Sequence, residues 1–133
     1  MCNTDAQLEK TIQVFLPPVL LKLSSTNAEA KKKVMEILSH INKRAKTNEN
    51  IKLPFDALLS QFTDASVSTF VKNFTLMYLE MAANRLSPEE TARHVPEFLK
   101  GISNRPVQQR IPLLHIVLPV SNYMCVYVCD FFL

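Results

Sequence analysis

The chain has 133 residues, of which 47% are hydrophobic and 20% charged, with a single glycine and a net charge of +3. Because Gly-rich phosphate-binding loops and many-hairpin β folds need glycine at positive φ, this composition disfavours both and favours a folded helical chain. The three cysteines, Cys2, Cys125 and Cys129, are too few and too irregularly spaced for a secreted disulfide scaffold, which favours a reducing compartment.

The first half of the chain contains two long predicted helices and a short one. Residues 5–24 carry apolar side chains at helical spacing, although Pro17 and Pro18 must bend or break that helix. Residues 27–46 form the second helix, whose apolar stripe comprises Val34, Ile37, Leu38, Ile41 and Ala45. Residues 54–62 form the third, with four inward positions: Phe55, Leu58, Leu59 and Phe62.

The second half contains three more predicted helices. The pattern is clearest in residues 64–83, where Asp64 is the expected N-cap. The apolar face of that helix comprises Val67, Phe70, Val71, Phe74, Met77, Tyr78 and Met81. Residues 87–90, Ser-Pro-Glu-Glu, form a capping box that opens the next helix, and Gly101 ends it. The last helix begins around Pro106, and one of its sides carries Val107, Ile111, Leu114 and Leu118.

These stripes predict the members of the hydrophobic core. Seven residues are expected in it: Val34, Leu38, Phe70, Phe74, Met77, Phe98 and Leu114. If Phe74 is fully buried, its replacement by alanine should cost about 3–5 kcal/mol.

The helices come in pairs, and proline recurs in the first helix of each pair. Pro17, Pro54 and Pro96 lie 37 and then 42 residues apart. A period of roughly 40 residues with two helices per unit is typical of HEAT and armadillo repeats. We therefore predict an all-α fold, an α-solenoid of HEAT/armadillo-like pairs over residues 1–119, followed by an atypical apolar tail over residues 120–133. A compact helical bundle without a true repeat is the alternative.

The residues that could carry chemistry are scattered. His40, His94 and His115 each stand alone on a helix, and Cys125 with Cys129 forms C-x3-C rather than a zinc-binding C-x2-C pair. Two adjacent glutamates in residues 87–90 are better explained by helix capping than by acid–base catalysis. We therefore predict no catalytic residue, no cofactor and no metal site, and the alternative of an unrecognised enzyme has no motif in its favour.

A basic run on the second helix is the most distinctive surface feature. Residues 31–33, 43–44 and 46 are lysine or arginine, and no aromatic residue stands near them in sequence. Nucleic-acid binding needs more charge with interleaved aromatics, so it is not expected. A solvated helix face and a docking surface for an acidic protein both remain open.

The apolar C-terminal stretch 111–133 is long enough to span a bilayer. Prolines, one histidine and one aspartate interrupt it, and no basic cluster follows it, so a membrane anchor is not favoured. A small membrane-anchored helical adaptor is kept as the alternative function.

Several blocks resemble one known family. They are FLPPVLLKLSST at 15–26, KKKVMEILSHINKR at 31–44, IKLPFDALL at 51–59 and STFVKNFT at 68–75. These blocks resemble the N-terminal region of the proteasome adaptor and scaffold family, very large eukaryotic HEAT-repeat proteins. The resemblance covers about residues 4–119, and it ends where the chain continues as SNYMCVYVCDFFL. The family also continues upstream of Met1, so we expect an N-terminal fragment or a truncated isoform.

The resemblance implies a non-catalytic scaffold that binds the regulatory and core particles of the proteasome and stabilises their assembly. It also implies links to other proteins, such as motors or vesicle adaptors. It implies a location in the cytoplasm and nucleus, with an association with endosomes, the endoplasmic reticulum or the centrosome. No functional residue is transferred by this resemblance.

Overall fold

The computed structural model describes residues 4–121, and this part of the chain contains six α-helices and no β-strand. The helices α1 to α6 span Asp5–Leu21, Ala28–Thr47, Phe55–Thr63, Thr69–Ala83, Pro88–Leu99 and Val107–Val117. Short 3₁₀ turns follow three of them, at Lys22–Ser24, Ile102–Asn104 and Leu118–Val120. The prediction of an all-α fold with about six helices is confirmed.

The helices form three consecutive pairs, α1 with α2, α3 with α4 and α5 with α6, and neighbouring pairs pack against each other. Helix α4 is central, because it contacts α1, α3 and α6. Between the second and third pairs, the rings of Phe55 and Phe98 meet edge-on with 6.2 Å between their centroids. The side-chain amide of Gln109 in α6 also donates to the side-chain oxygen of Asn73 in α4 at 2.9 Å. This stacking of helix pairs is the arrangement of a HEAT-like solenoid.

The first pair is joined to the second by polar contacts. The hydroxyl of Tyr78 in α4 donates to the carbonyl of Leu38 in α2 at 3.0 Å, and burial raises the pKa of Tyr78 to about 12. Arg85, just after α4, donates to the carbonyls of Ala45 and Ile51. These bonds satisfy backbone acceptors at the end of α2 and in the loop that follows it.

The predicted core is confirmed in part, at three of its seven residues. Val34, Leu38 and Phe98 are buried, as are the four inward positions of α3. The apolar core is continuous through all three pairs, and its fully buried side chains include Ile12, Leu16, Leu20, Leu58, Phe62, Tyr78, Leu79 and Leu113. Each helix therefore packs at least part of one side against its neighbours.

The buried face of α4 lies to one side of the face that the sequence predicted. Phe70 is 51% exposed, and Phe74 and Met77 are only half-buried. The face that packs inward comprises Val71, Thr75, Leu76, Tyr78, Leu79, Ala82 and Ala83. Small and polar side chains occupy part of this face because α4 is enclosed by several helices that approach its backbone closely. The expected cost of Phe74→Ala therefore falls below the range for a fully buried phenylalanine.

The predicted inward side of α6 was wrong. Leu114 is exposed, together with Val107, Ile111 and Leu118. The side that packs on α4 and α5 instead carries Gln109, Leu113, Ile116 and Val117. Gln109 can be buried there because Asn73 accepts its hydrogen bond.

Helix starts largely follow the sequence signals. Asn27 caps α2 and accepts from the amides of Glu29 and Ala30, whereas α4 is capped by Ser68 rather than by the predicted Asp64. Asp64 instead accepts from the amide and hydroxyl of Ser66 in the turn before α4. These bonds lower the pKa of Asp64.

The capping box of α5 gives a direct stability prediction. The Ser87 hydroxyl accepts from the Glu90 amide at 3.2 Å, and the Glu90 carboxylate accepts from the Ser87 amide at 3.0 Å. Ser87→Ala should lower the free energy of unfolding at pH 7 by about 1 kcal/mol, measured by urea denaturation. Ser39→Ala, at an exposed position inside α2, is the control and should not destabilise the chain.

The same box has a defined pH dependence. Hydrogen bonds from the Ser87 amide and hydroxyl lower the pKa of Glu90 below its ordinary value of 4.5. Because the folded pKa is lowered, the contribution of Glu90 is present above pH 4.5 and is lost as pH falls through the folded pKa.

The recurring prolines occupy different places in the three pairs. Pro17 and Pro18 lie late in α1, which continues to Leu21 without a break, Pro54 precedes the first residue of α3, and Pro96 lies late in α5. The period therefore marks the first helix of each pair but not one fixed position in it. The predicted boundary between 1–119 and 120–133 stays a prediction, because residues 122–133 lie outside the described residues.

Candidate protein-binding surfaces

The outer side of α2 carries three lysines that we call the α2 basic face: Lys32, Lys43 and Lys46. They lie on one side of the helix, since their spacings of 11 and 3 residues are close to whole turns. All three are exposed and point away from the buried residues Val34 and Leu38. None makes an ion pair with any residue in the range 4–121.

The other basic residues of α2 already have partners. Lys31 lies over the ring of Phe70, with its Nζ 5.8 Å from the centroid. Lys33 pairs with Glu36 at 3.3 Å, and Arg44 lies 3.6 Å from the carboxylate of Asp5. The basic run therefore contains three residues that contact other side chains of this chain and three, Lys32, Lys43 and Lys46, that are available to a partner.

Charge is concentrated on this helix. Helix α2 contains six basic and two acidic residues, a net charge of +4, whereas the whole chain has +3. The remainder of the chain therefore has a net charge of −1. A helix that carries more than the entire net charge of its protein attracts acidic surfaces, and this attraction weakens as salt rises.

A second surface, the α6 apolar stripe, consists of Val107, Ile111, Leu114 and Leu118. Their spacings of 4, 3 and 4 residues place them on one side of α6 and of the 3₁₀ turn that follows it. Their exposed fractions are 60%, 52%, 41% and 61%. The spacing was visible in the sequence, but its placement toward the core was not correct.

Several other polar side chains line a groove at the surface. An open groove of about 520 Å³ brings together Gln13, Lys52, Asp56, Arg85 and Glu90. Arg85 binds two backbone carbonyls there, and Glu90 belongs to the capping box. The residues that line this groove include no serine, cysteine or histidine, and two of its four charged side chains, Arg85 and Glu90, make structural contacts.

The histidines predicted to be isolated lie in three separate places. His94 contacts the Phe55 ring and lies 3.9 Å from Glu97, and His115 lies 3.3 Å from Glu80. His40 lines a hollow beside Lys43. Within residues 4–121, no three side chains of the His, Cys, Asp and Glu types converge as a metal site. All three cysteines lie outside the described residues.

The membrane hypothesis concerned residues 111–133. Within residues 4–121, none of the helices has the length and apolar character needed to cross a bilayer. The rest of that stretch, 122–133, lies outside the described residues.

Stacked helix pairs with extended charged and apolar outer surfaces define the class of the molecule, a helical-repeat protein of the HEAT-like type. The chain belongs to the family described as "Proteasome component ECM29, N-terminal", whose model matches residues 1–123. The resemblance deduced from the sequence blocks is thereby confirmed.

Relatives in animals and fungi extend this result. The chain is 44% identical to "Proteasome adapter and scaffold protein ECM29" of Homo sapiens, over 92% of this chain and 7% of the relative. It is 31% identical to "Proteasome-associated protein ECM29 homolog" of Drosophila melanogaster, over 92% of this chain and 6% of the relative. It is 28% identical to "Proteasome component ECM29" of Saccharomyces cerevisiae, over 89% of this chain and 7% of the relative. The chain thus spans less than a tenth of these relatives, and no solved structure matches it.

Proposed function

We propose that this chain is a non-catalytic scaffold segment that binds the proteasome through the α2 basic face. Family membership and the relatives' names, which describe a proteasome adapter, scaffold or component, support the partner. The observation that carries the choice of surface is that Lys32, Lys43 and Lys46 are exposed on one side of α2 and make no ion pair within residues 4–121.

The geometry supports binding by a rigid surface. Helix α2 is held by the bond from Tyr78 to Leu38 and by Arg85 at its end, so its lysines stand on a fixed support. Because the helix backbone is already ordered, binding costs little backbone conformational entropy. The entropy that is lost comes mainly from the lysine side chains. Acidic side chains on a partner would complete the ion pairs that the row lacks.

A charge-reversal experiment tests both the partner and the surface. The full chain is assayed for binding to purified proteasomes, beside the triple variant Lys32→Glu, Lys43→Glu and Lys46→Glu. The control reverses three exposed lysines elsewhere, Lys10, Lys22 and Lys100. Both variants change the net charge from +3 to −3, so they differ only in where the charge is reversed.

We expect the α2 variant to bind at least about tenfold more weakly and the control to bind within about twofold of the original chain. Rising salt should weaken proteasome binding by the original chain more than binding by the α2 variant. Equal losses of affinity in both variants would contradict the choice of the α2 basic face as the binding surface. If the original chain does not enrich proteasomes, the proposal that the proteasome is the partner is wrong.

Finer features of the function are part of the same proposal. We propose that the chain contacts both the regulatory and the core particles, which separate binding assays with each purified particle would test. Binding to motors or vesicle adaptors, and a location in the cytoplasm and nucleus, stay predictions from the family resemblance. Fluorescence imaging of the tagged full chain beside a labelled proteasome subunit tests the location.

A further inference from the structure

Another group of charged side chains lies at the ends of α3 and α5, where the second and third helix pairs meet. An open hollow of about 400 Å³, which we call the Arg105 hollow, is lined by Thr63, Glu97, Lys100 and Arg105. Thr63 is the last residue of α3, Lys100 follows α5, and Arg105 lies just before α6. The Arg105 hollow shares no residue with the α2 basic face, so an inference about it does not depend on proteasome binding.

The side chain of Arg105 makes this hollow a candidate binding site. It is partly buried, and this burial lowers the pKa of the Arg105 guanidinium, which nevertheless stays charged. Its Nε atom is buried without a hydrogen-bond partner, and no carboxylate within residues 4–121 forms an ion pair with it. Charged groups that leave water are normally paired, because they lose hydration that only an opposite charge restores. The donors of Arg105 are therefore open to an anion from outside the described part of the chain.

A contact with Phe62 positions the guanidinium without satisfying its donors. The central carbon of the Arg105 guanidinium lies 4.4 Å from the centroid of the Phe62 ring, and Phe62 is a buried residue of α3. This cation–π contact accounts for part of the burial of Arg105. The ring offers no oxygen acceptor, so the N–H donors of the guanidinium still need one elsewhere.

The backbone that carries Arg105 is fixed by hydrogen bonds of its own loop. The Arg110 guanidinium donates to the carbonyl of Arg105 at 2.7 Å and to the carbonyl of Ser103 at 2.9 Å. The backbone amide of Arg105 donates to the carbonyl of Ile102 at 3.2 Å. Because these bonds already order the loop, a ligand that binds Arg105 does not have to order it.

The charges around the Arg105 hollow favour a singly charged anion. Arg105 and Lys100 are cations and Glu97 is an anion, so the three together have a net charge of +1. Glu97 lies 3.9 Å from His94 and forms no ion pair with either cation of the hollow. A planar carboxylate matches the guanidinium fork through two parallel hydrogen bonds. A dianion would place an excess negative charge close to Glu97, which Coulomb repulsion disfavours.

We propose that the Arg105 hollow binds a single carboxylate group. Arg105 donates the paired hydrogen bonds, and Lys100 supplies a second positive charge at the exposed side of the hollow. Phe62 and Arg110 are positioning residues, because they act on the carboxylate only through Arg105. The carboxylate belongs either to a small molecule or to an acidic side chain of a protein, and the two sources present the same pair of oxygens.

Nuclear magnetic resonance titration of the isotope-labelled full chain tests this proposal. Sodium acetate supplies a free carboxylate, and glutamate blocked as its N-acetyl methylamide supplies one on an amino-acid side chain. Sodium sulfate is the dianion control, and sodium chloride at the same ionic strength is the control for screening. The backbone amide signals of residues 63, 97, 100 and 105 report binding in the hollow.

Three variants locate the binding site. Arg105→Gln removes the guanidinium, whereas Arg105→Lys keeps the charge and loses the planar fork. Arg93→Gln is the matched control, because it removes an exposed arginine outside the hollow and changes the net charge by the same amount as Arg105→Gln. The amide spectrum of each variant verifies that it is folded.

We expect saturable shifts with acetate and with blocked glutamate, at an affinity at least about threefold higher than that of sulfate. Arg105→Gln should weaken acetate binding at least about tenfold, Arg105→Lys by an intermediate factor, and Arg93→Gln by less than about twofold. Tighter binding of blocked glutamate than of acetate would assign the carboxylate to a protein partner, and the reverse order would assign it to a small molecule.

The original chain alone can overturn the proposal, so the test does not depend on whether a variant folds. Shifts that do not saturate, shifts that chloride reproduces, or sulfate binding as tight as acetate binding would each contradict a carboxylate site. Equal losses of acetate affinity in Arg105→Gln and Arg93→Gln would show that binding occurs outside the Arg105 hollow.

Discussion

Replacing Phe98 by alanine is expected to lower the free energy of unfolding by about 3–5 kcal/mol, because it opens a cavity between the second and third pairs. The Phe98 side chain is 1% exposed, and its ring packs edge-on against Phe55 of α3. Urea denaturation of the full chain, monitored by the helical signal in circular dichroism, measures the change in the free energy of unfolding.

Phe70→Ala is the matched control. Phe70 is 51% exposed, and its main contacts are the Phe74 ring and the ammonium group of Lys31. We expect this substitution to cost no more than about 1 kcal/mol. Equal losses at the two positions would mean that α4 and α5 are not packed as described.

Replacing Arg85 by methionine is expected to lower the free energy of unfolding by about 3 kcal/mol, because two backbone carbonyls lose a charged donor. Ala45 lies in the last turn of α2, where carbonyls have no amide of the same helix to accept from, and Ile51 lies in the following loop. Arg85 is partly buried, and this burial lowers its pKa, yet an arginine stays charged throughout the working pH range. Urea denaturation again measures the loss.

Two further substitutions separate the bonds of Arg85 from its charge. Arg85→Lys keeps the charge but replaces the planar fork by one ammonium group, so an intermediate loss is expected. Arg93→Met removes an exposed arginine and should change stability by less than about 0.5 kcal/mol. A full loss in Arg85→Lys would point to fork geometry as essential, and no loss in Arg85→Met would contradict the bridging role.

The sequence predicted the six helices and most of their first residues, because periodicity and capping depend on residues close together in the chain. The capping box at Ser87 depends on residues three positions apart, and the structure contains it. The inward face of α3 was also correct, since that short helix packs on one side only. Local periodicity is sufficient where a helix has a single buried side.

Faces were misassigned where a helix has several neighbours or an uncovered side. On α4, buried Thr75 and Ala82 rank below Phe70 in hydrophobicity, and only the positions of neighbouring helices decide which of them is inside. On α6, the two opposite sides are both apolar in part, so periodicity identified Leu114 when the packed side carries Leu113. Tertiary packing, which local patterns do not contain, settled both cases.

The candidate binding surface was visible in the sequence only in outline. The basic run of α2 was evident, but two of its residues, Lys31 and Arg44, have partners distant in sequence. Asp5 and Arg44 lie 39 residues apart, as do Lys31 and Phe70. The structure was therefore needed to single out the α2 basic face.

Zero-length carbodiimide cross-linking of the full chain to purified proteasomes tests the central claim most directly, since it joins lysines only to carboxylates already in contact. We predict cross-links from Lys32, Lys43 or Lys46 to acidic residues of proteasome subunits, and few from the exposed lysines Lys10, Lys22 and Lys100. Cross-links confined to those last three, or none to any proteasome subunit, would contradict the proposal that this face of α2 holds the partner.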